Sequence, residues 1–440
     1  MRCFRRISRR AFSTPARPPL TLPKAKLITT PDLIDEERLP HYESSEYYPA
    51  KPGDVIGDRF QLLVKLGYGG SSTTWMARNL QDGERESELV GALKIANCNG
   101  LAKNEVEIEE HIAKNGSSHR AHSLLRTCEE RFEVDGPHGK HICSVYPALR
   151  ESMVSFRRRF VDEVIPYPLV KVYLMILLEA LDCLHKDCSV VHTDLKLENI
   201  LMSFEEVEVM SDFLNEELEK PAEYRIDSMG RHVFRRNNDF GVLRDSWKGM
   251  VPYIVDFGSS LRPHGVTGRG IFPIQASQYR APEVTLGFPW NRSADIWNLG
   301  VLVWDMSHGT ELFQQAQDAD LEYNAKSHLA EMISLLGMPS PEFIERSHQA
   351  LVYEWPCEIH FPGGKLAKNA LELYDGPFFS EDGKFLHQQL IPDRKIEDSL
   401  PLLDEKSRNE LLAFLKRMLT WDPEERATAR ELLDDPFLQF

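Results

Sequence analysis

Long apolar runs are missing from this 440-residue chain. The longest near its centre, Val172 to Leu178, is closed by Lys171 and Glu179, far short of the roughly 20 residues a spanning helix needs. The sequence therefore predicts no transmembrane segment and no membrane partner. Cysteine is also sparse, with seven residues at positions 3, 98, 128, 143, 183, 188 and 357, no C-x-x-C pair and no His spacing suited to zinc. That pattern reads as a reduced, intracellular protein without a structural metal. No internal repeat is present, which excludes a solenoid. Acidic residues are absent from the first thirty positions, which carry eight Lys or Arg. Taking that +8 from the total of −16 leaves −24 on residues 31 to 440. A body this acidic repels nucleic acid and accepts basic partners.

What remains is a chain with 42% hydrophobic and 27% charged residues, enough to bury a large core in two lobes or two domains. The opening "MRCFRRISRRAFSTPARPP" places Phe4, Ile7 and Ala11 at helical spacing among arginines, as a mitochondrial presequence does. Arg10, Ala11, Phe12 and Ser13 suit a processing site, and a disordered basic arm is the alternative. The Pro-rich stretch through Pro52 reads as an exposed linker, with regular structure starting near Arg59.

From there "RFQLLVKL", "TTWMA" and "VGALKIA" read as three short strands, with "GYGGSS" (67 to 72) between the first two. A Gly-rich hairpin after a strand argues against a dinucleotide fold. Gly67 and Gly69 let backbone amides approach phosphates without a Cβ in the way. Ser72 stands where a third glycine is expected. Lys94 in "ALKI" gains meaning through a partner. "LAKNEVEIEEHIAKNG" reads as a helix ending at Gly116 and puts Glu105, Ile108 and Ile112 on one inward face, with Glu107, Glu109 and Glu110 solvated. A Lys94–Glu105 ion pair would fix the ammonium for α- and β-phosphates.

"VVHTDLKLENIL" (190 to 201) gathers a base, a cation and a metal ligand. Asp194 can accept a proton from an attacking hydroxyl, Lys196 can offset charge on a transferred phosphoryl, and Asn199 offers a carbonyl oxygen to Mg²⁺. Asp256 in "YIVDFGSSL" can chelate the same metal, and Gly258 lets the backbone turn. Glu283 in "YRAPEV" can pair with Arg426 in "WDPEERATARELL", and Asp295 in "SADIWNLG" can hold the catalytic-loop backbone.

In this order the motifs, from about Arg59 to Leu438, resemble the eukaryotic protein kinases. "HTDLKLEN", "DGPHGKHICSVY" and "IQASQYRAPEV" most resemble the SR-protein-specific kinases of the CMGC group, in a short fungal-like form. "AKSHLAEMISLLGMPSPEFIERS" reads as helix, turn and helix and is similar to the CMGC insert, its stripe of Leu329, Ile333 and Leu336 forming core.

The resemblance implies an α+β, two-lobed fold: a small antiparallel-sheet lobe (59–147) and a large, mainly helical lobe (148–438) carrying an insert at about 203–250. Residues 1–58 then form a tail and linker. It implies ATP and Mg²⁺ as cofactors, with Leu66, Gly67, Gly69, Lys94, Glu105, Tyr146 and Leu149 around the nucleotide, in the cleft near 146 to 149. It implies a monomer phosphorylating Ser in Arg-Ser-rich splicing proteins in cytoplasm and nucleus, whereas the N-terminus alone points to mitochondria. The insert is either a tolerated surface excursion or a docking element. Thr193 replaces the Arg that holds a phosphorylated activation loop, which implies activity without that phosphorylation. Leu197 replaces a Pro on which no chemistry rests. Ala276 replaces a Thr that would bond the catalytic Asp and Lys, which loosens Asp194. Ser72 and Ala276 motivate the alternative of a catalytically silent scaffold or nucleotide-binding module. A small-molecule kinase is disfavoured by "APE" and "DIWNLG".

Overall fold

The computed structural model describes residues 17–81, 90–262, 269–319, 321–360, 366–397 and 403–439. Residues 1–16 of the presequence-like segment, including Arg10, Ala11, Phe12 and Ser13, lie outside them. Among the described residues no helix is long and apolar enough to cross a membrane. The chain divides into two compact units.

The first unit runs through Glu110 and takes in Arg126–Glu151 and Leu201–Val251. Its centre is a six-stranded antiparallel sheet of β1 (Val55–Ile56), β2 (Phe60–Gly69), β3 (Ser72–Asn79), β4 (Val90–Ala96), β5 (Glu130–Asp135) and β6 (Lys140–Pro147), in the order β1-β2-β3-β4-β6-β5. Alternation assigns the faces. Leu62, Trp75, Ala77, Leu93 and Ile95 pack with Ala50, Ile56 and Phe234 in one cluster, and Leu63, Val64 and Met76 pack in another with Val209, Met210, Phe213 and Phe240.

Two expectations change here. The stretch before Arg59 is not an exposed linker: Ile34, Glu36, Tyr47 and Ala50 are buried, and short 3-10 turns form at Asp35–Arg38 and Ser44–Glu46. The insert belongs to this unit rather than to the helical one. Its helix Glu208–Glu219 buries Val209, Met210 and Phe213, and its hairpin pairs Tyr224–Ile226 with His232–Phe234. The physical reason is charge as well as apolar area. Lys65, 2% exposed, pairs with Glu36, lies 3.2 Å from Asp35 and donates to the Phe234 carbonyl at 2.8 Å. Arg231 of the insert reaches Glu36 at 2.9 Å, Arg225 reaches Glu37 at 2.9 Å, and the Arg236 amide donates to Asp35 at 2.6 Å. Buried charges persist only when paired in this way.

The second unit comprises His111–Leu125, Ser152–Ile200 and Pro252–Phe440 and is mainly helical. Its helix Ser293–His308 is buried from Ser293 through Ser307, as expected of a helix that is apolar all round. It stops at Gly309, φ 79°, where a Cβ would stand 2.1 Å from the Asp162 carbonyl oxygen, so only glycine fits. The helices Ala325–Leu336 and Pro341–Leu351 form as the sequence predicts, each opened by a side-chain cap, Asn324 and Ser340. Leu329 and Ile333 are core, and Leu336 is half-buried.

Candidate active site

The predicted site residues fall into both units, and each half is built separately. In the first, the glycine-rich loop is the tip of the β2–β3 hairpin, with Gly67 opposite Thr74 and Gly69 opposite Ser72. A Cβ at Gly67, Gly69 or Gly70 would meet no atom within 4 Å. These glycines relieve no internal clash, so what they provide is open backbone. Ser72 is buried at the start of β3, paired with Gly69 and Ala96.

Lys94 sits mid-strand on β4, opposite Thr74 and Ser144, and its Nζ lies 2.5 Å from Glu105 Oε1. Glu105 opens α1 (Ala102–Asn115), whose inward face carries Ile108 and Ile112. Glu109, one turn on, is not solvated as expected but 2% exposed, bonded to Arg131 at 2.5 Å and receiving the Tyr146 hydroxyl at 3.0 Å. Burial, reinforced by the Glu105 charge, pushes its carboxyl up to about 7. The Tyr146 side chain is thereby committed to Glu109. Burial raises its own phenol well above the usual value. Leu66 and Leu149 are half-buried, Leu66 against the cluster that includes the insert helix.

In the second unit the helix Tyr167–Asp182 runs into a π-turn, Cys183–Asp187, and then the catalytic-type loop. The Asp194 carboxylate accepts from Lys196 Nζ at 2.8 Å and from Asn199 Nδ2 at 3.0 Å, both on Oδ2. Asn199 Nδ2 also donates to the Asp194 carbonyl at 2.8 Å. Asp194 therefore keeps two donors although Ala276 brings none.

Asp295, fully buried, accepts the amides of His192 (2.8 Å) and Thr193 (2.9 Å) and lies 2.8 Å from His185 Nε2. His192 accepts the Asp194 amide on Nδ1, so its Nε2 proton goes to the Val255 carbonyl at 3.1 Å. Thr193 holds φ 66°, a strained value for a β-branched residue. Its hydroxyl donates to the Ser259 carbonyl at 2.7 Å, and Ser260 Oγ donates to the His192 carbonyl at 3.1 Å. The loop is thus tied to the segment just after Asp256, which itself has φ 65°. A Cβ at Gly258 would come within 3.3 Å of Asp256 Oδ1. Leu197 is buried, an apolar filler. Glu283 and Arg426 form a bidentate, fully buried pair at 2.6 Å.

Sequence reasoning missed two residues here. Gln275, buried with φ 72°, donates to the Ala294 carbonyl and to Asn298 and accepts the Ala281 amide. Arg280 holds the carbonyls of Ile274 (3.3 Å) and Gln275 (3.0 Å) while lying 4.1 Å over the Tyr323 ring. Both stand inside "IQASQYRAPEV", but what each bonds depends on a backbone shape that spacing does not reveal.

Comparison with known proteins places these features in context. Residues 242–438 match the family model described as a protein kinase domain. A serine/threonine protein kinase of Aspergillus fumigatus is 33% identical over 438 residues, covering 99% of this chain and 98% of that protein. The serine/threonine-protein kinase SRPK of Physarum polycephalum is 29% identical, covering 92% of each chain. The protein kinase dsk1 of Schizosaccharomyces pombe is 23% identical, covering 92% of this chain and 85% of that one.

Proposed function

This chain belongs to the serine/threonine protein kinases, and from that premise we propose that it transfers the γ-phosphate of ATP, bound with Mg²⁺, to serine in Arg-Ser-rich proteins such as splicing factors. The observation that carries the reading is the clamp on Asp194. Lys196 and Asn199 both take Oδ2, which leaves Oδ1 for the serine hydroxyl, whose proton it accepts as the oxygen attacks phosphorus. Lys196 offsets charge on the group in transit. Asp295 fixes the backbone of this loop through two amides, so the base is positioned before substrate arrives.

Mg²⁺ supplies charge neutralisation on the phosphates. The donor chemistry suits it: the Asn199 amide nitrogen is spent on Asp194, so Asn199 Oδ1 and the Asp256 carboxylate would be the oxygen ligands that hold the cation. Lys94, held by Glu105, would pair with the α- and β-phosphates, and the open backbone of Gly67 and Gly69 would offer them its amides. Leu66 and Leu149 offer apolar surface to the base, and Tyr146 contributes through its backbone because its side chain holds Glu109.

Substrate class rests on the resemblance to SR-protein kinases and on the net −24 of residues 31 to 440, which attracts a basic substrate. Activity needs no activation-loop phosphate: Thr193 offers no charge for one, and Arg280 already bonds the carbonyls of Ile274 and Gln275. Nothing in the geometry favours a silent scaffold. Cytoplasm and nucleus are the compartments proposed.

The test is transfer of labelled γ-phosphate with Mg²⁺ to an Arg-Ser repeat peptide and to an acidic substrate, with Asp194→Asn as control. Arg-Ser labelling that falls by about 10²–10⁴-fold in the variant supports the proposal. Labelling of the acidic substrate alone discards the substrate class and keeps the kinase, and a loss of turnover after phosphatase treatment discards the phosphate-independent mechanism.

A further inference from the structure

We propose that His119, Cys183 and Asp187 form a second metal site, distinct from the phosphoryl-transfer centre, that takes a borderline-soft divalent cation such as Zn²⁺. One ligand atom from each lies within 4.8 Å of the other two. In a tetrahedral zinc site, bond lengths of about 2.0–2.3 Å put ligand atoms roughly 3.3–3.8 Å apart, so closing the triad needs a movement of about an ångström. Imidazole, thiolate and carboxylate together suit Zn²⁺, whereas Mg²⁺ prefers oxygen alone.

No spacing in the sequence points to this site because its ligands come from separate segments. His119 lies in the loop after α1, whereas Cys183 and Asp187 open and close the π-turn. Burial grades from Cys183, fully enclosed, through half-buried His119 to exposed Asp187. That gradient gives an ion an entry from solvent and a sulfur at the floor.

Three further features support the site. Cys188 donates the π-type hydrogen bond, its amide to the Cys183 carbonyl at 3.1 Å, and the Cys183 thiol donates to the Gly116 carbonyl at 3.9 Å. In the loaded site the Cys183 proton leaves to solvent as its sulfur takes the metal. Asp182 lies 3.6 Å from His119 Nε2, a second carboxylate beside the imidazole. Gly116 leaves room, since a Cβ there would stand 2.8 Å from Cys188 Sγ and 3.0 Å from Cys183 Sγ. His119 Nδ1 accepts the Ala121 amide at 3.1 Å, so Nε2 carries the proton in the metal-free ring, and that proton too is displaced on binding. The site has a route to the chemistry, because the same π-turn carries His185, bonded to the Asp295 that anchors the catalytic loop.

The experiment titrates the full-length kinase, carrying Cys3→Ser and Cys357→Ser, with Co²⁺ and then Zn²⁺ in excess Mg²⁺. Absorbance reads a sulfur-to-cobalt charge-transfer band, and thermal unfolding reads stabilisation. The proposal expects a band saturating at one ion per chain, displaced by Zn²⁺. It expects Cys183→Ser to abolish the band, and Asp187→Asn and His119→Ala to weaken Zn²⁺ binding at least about tenfold. Asp187 is exposed, so its variant folds even if Cys183→Ser does not. No band, a band that survives Cys183→Ser, or unchanged affinity in Asp187→Asn overturns the proposal.

Discussion

Both units hold buried ion pairs, Glu283 with Arg426 in the second among them, but they differ in how their central carboxylates are held. In the first, side chain answers side chain: Lys65 with Asp35 and Glu36, Arg231 with Glu36, Arg131 with Glu109, Lys94 with Glu105. In the second, the decisive carboxylate, Asp295, holds backbone amides. Ion pairs between long side chains lose their worth when either partner is removed, and buried ones then leave an uncompensated charge. A carboxylate on main-chain amides that is replaced by its amide keeps the shape of the contact and loses the charge assistance. The first unit should therefore be the more fragile to single substitutions and the second the more sensitive in turnover.

Lys65→Met is the strongest test of that contrast. It takes the buried ammonium away from Asp35 and Glu36, leaving Arg231 alone against them, and urea unfolding should show a loss of about 3–5 kcal/mol. Asp295→Asn should cost less stability, about 1.5–3 kcal/mol, yet lower kcat, because one loop amide then faces an NH₂ group. A larger stability loss for Asp295→Asn than for Lys65→Met would reverse the comparison.

A third test uses pH. Each unit holds one carboxyl that burial raises to about 7, Glu109 from 4.5 and Asp305 from 3.8. Between the unfolded and folded values the native state binds the extra proton. Each group therefore makes stability fall as pH rises through that window and adds no further slope above about 7. Glu109→Gln should remove the first unit's share, seen as urea midpoints that change less between pH 5 and 7, with the Asp305 share remaining. The smallest effect is expected at the surface. Arg244→Ala breaks solvent-screened pairs with Glu206 and Asp212 and should leave the urea midpoint essentially where it was.

Much of the site was legible because its chemistry is local in sequence. The Asp-x-Lys-x-x-Asn spacing of 194 to 199 closes on itself within one loop, and the Lys94–Glu105 pair needs only one strand and one helix face. The Glu283–Arg426 pair is distant in sequence, but each partner sits in its own recognisable motif. Glu109 was misjudged although it lies four residues after Glu105 and so shares its face; its partners, Arg131 and Tyr146, lie on later strands. The insert and the stretch before Arg59 were hidden for a stronger reason. Their order comes from pairing residues such as Glu36 and Arg231, which neither propensity nor periodicity signals. Thr193 was read correctly as lacking charge, but its bond to Ser259 depends on a backbone shape that no spacing reveals.

The clasp of Asp35 and Glu36 on Lys65 and Arg231 also bears on how this enzyme can be cut. A chain trimmed to begin at Arg59, where the motifs begin, would carry two buried cations with no anions to meet them and an insert helix with one side of its seat removed. Limited proteolysis of the intact protein should accordingly spare residues 34 to 50, and any minimal active fragment should include them.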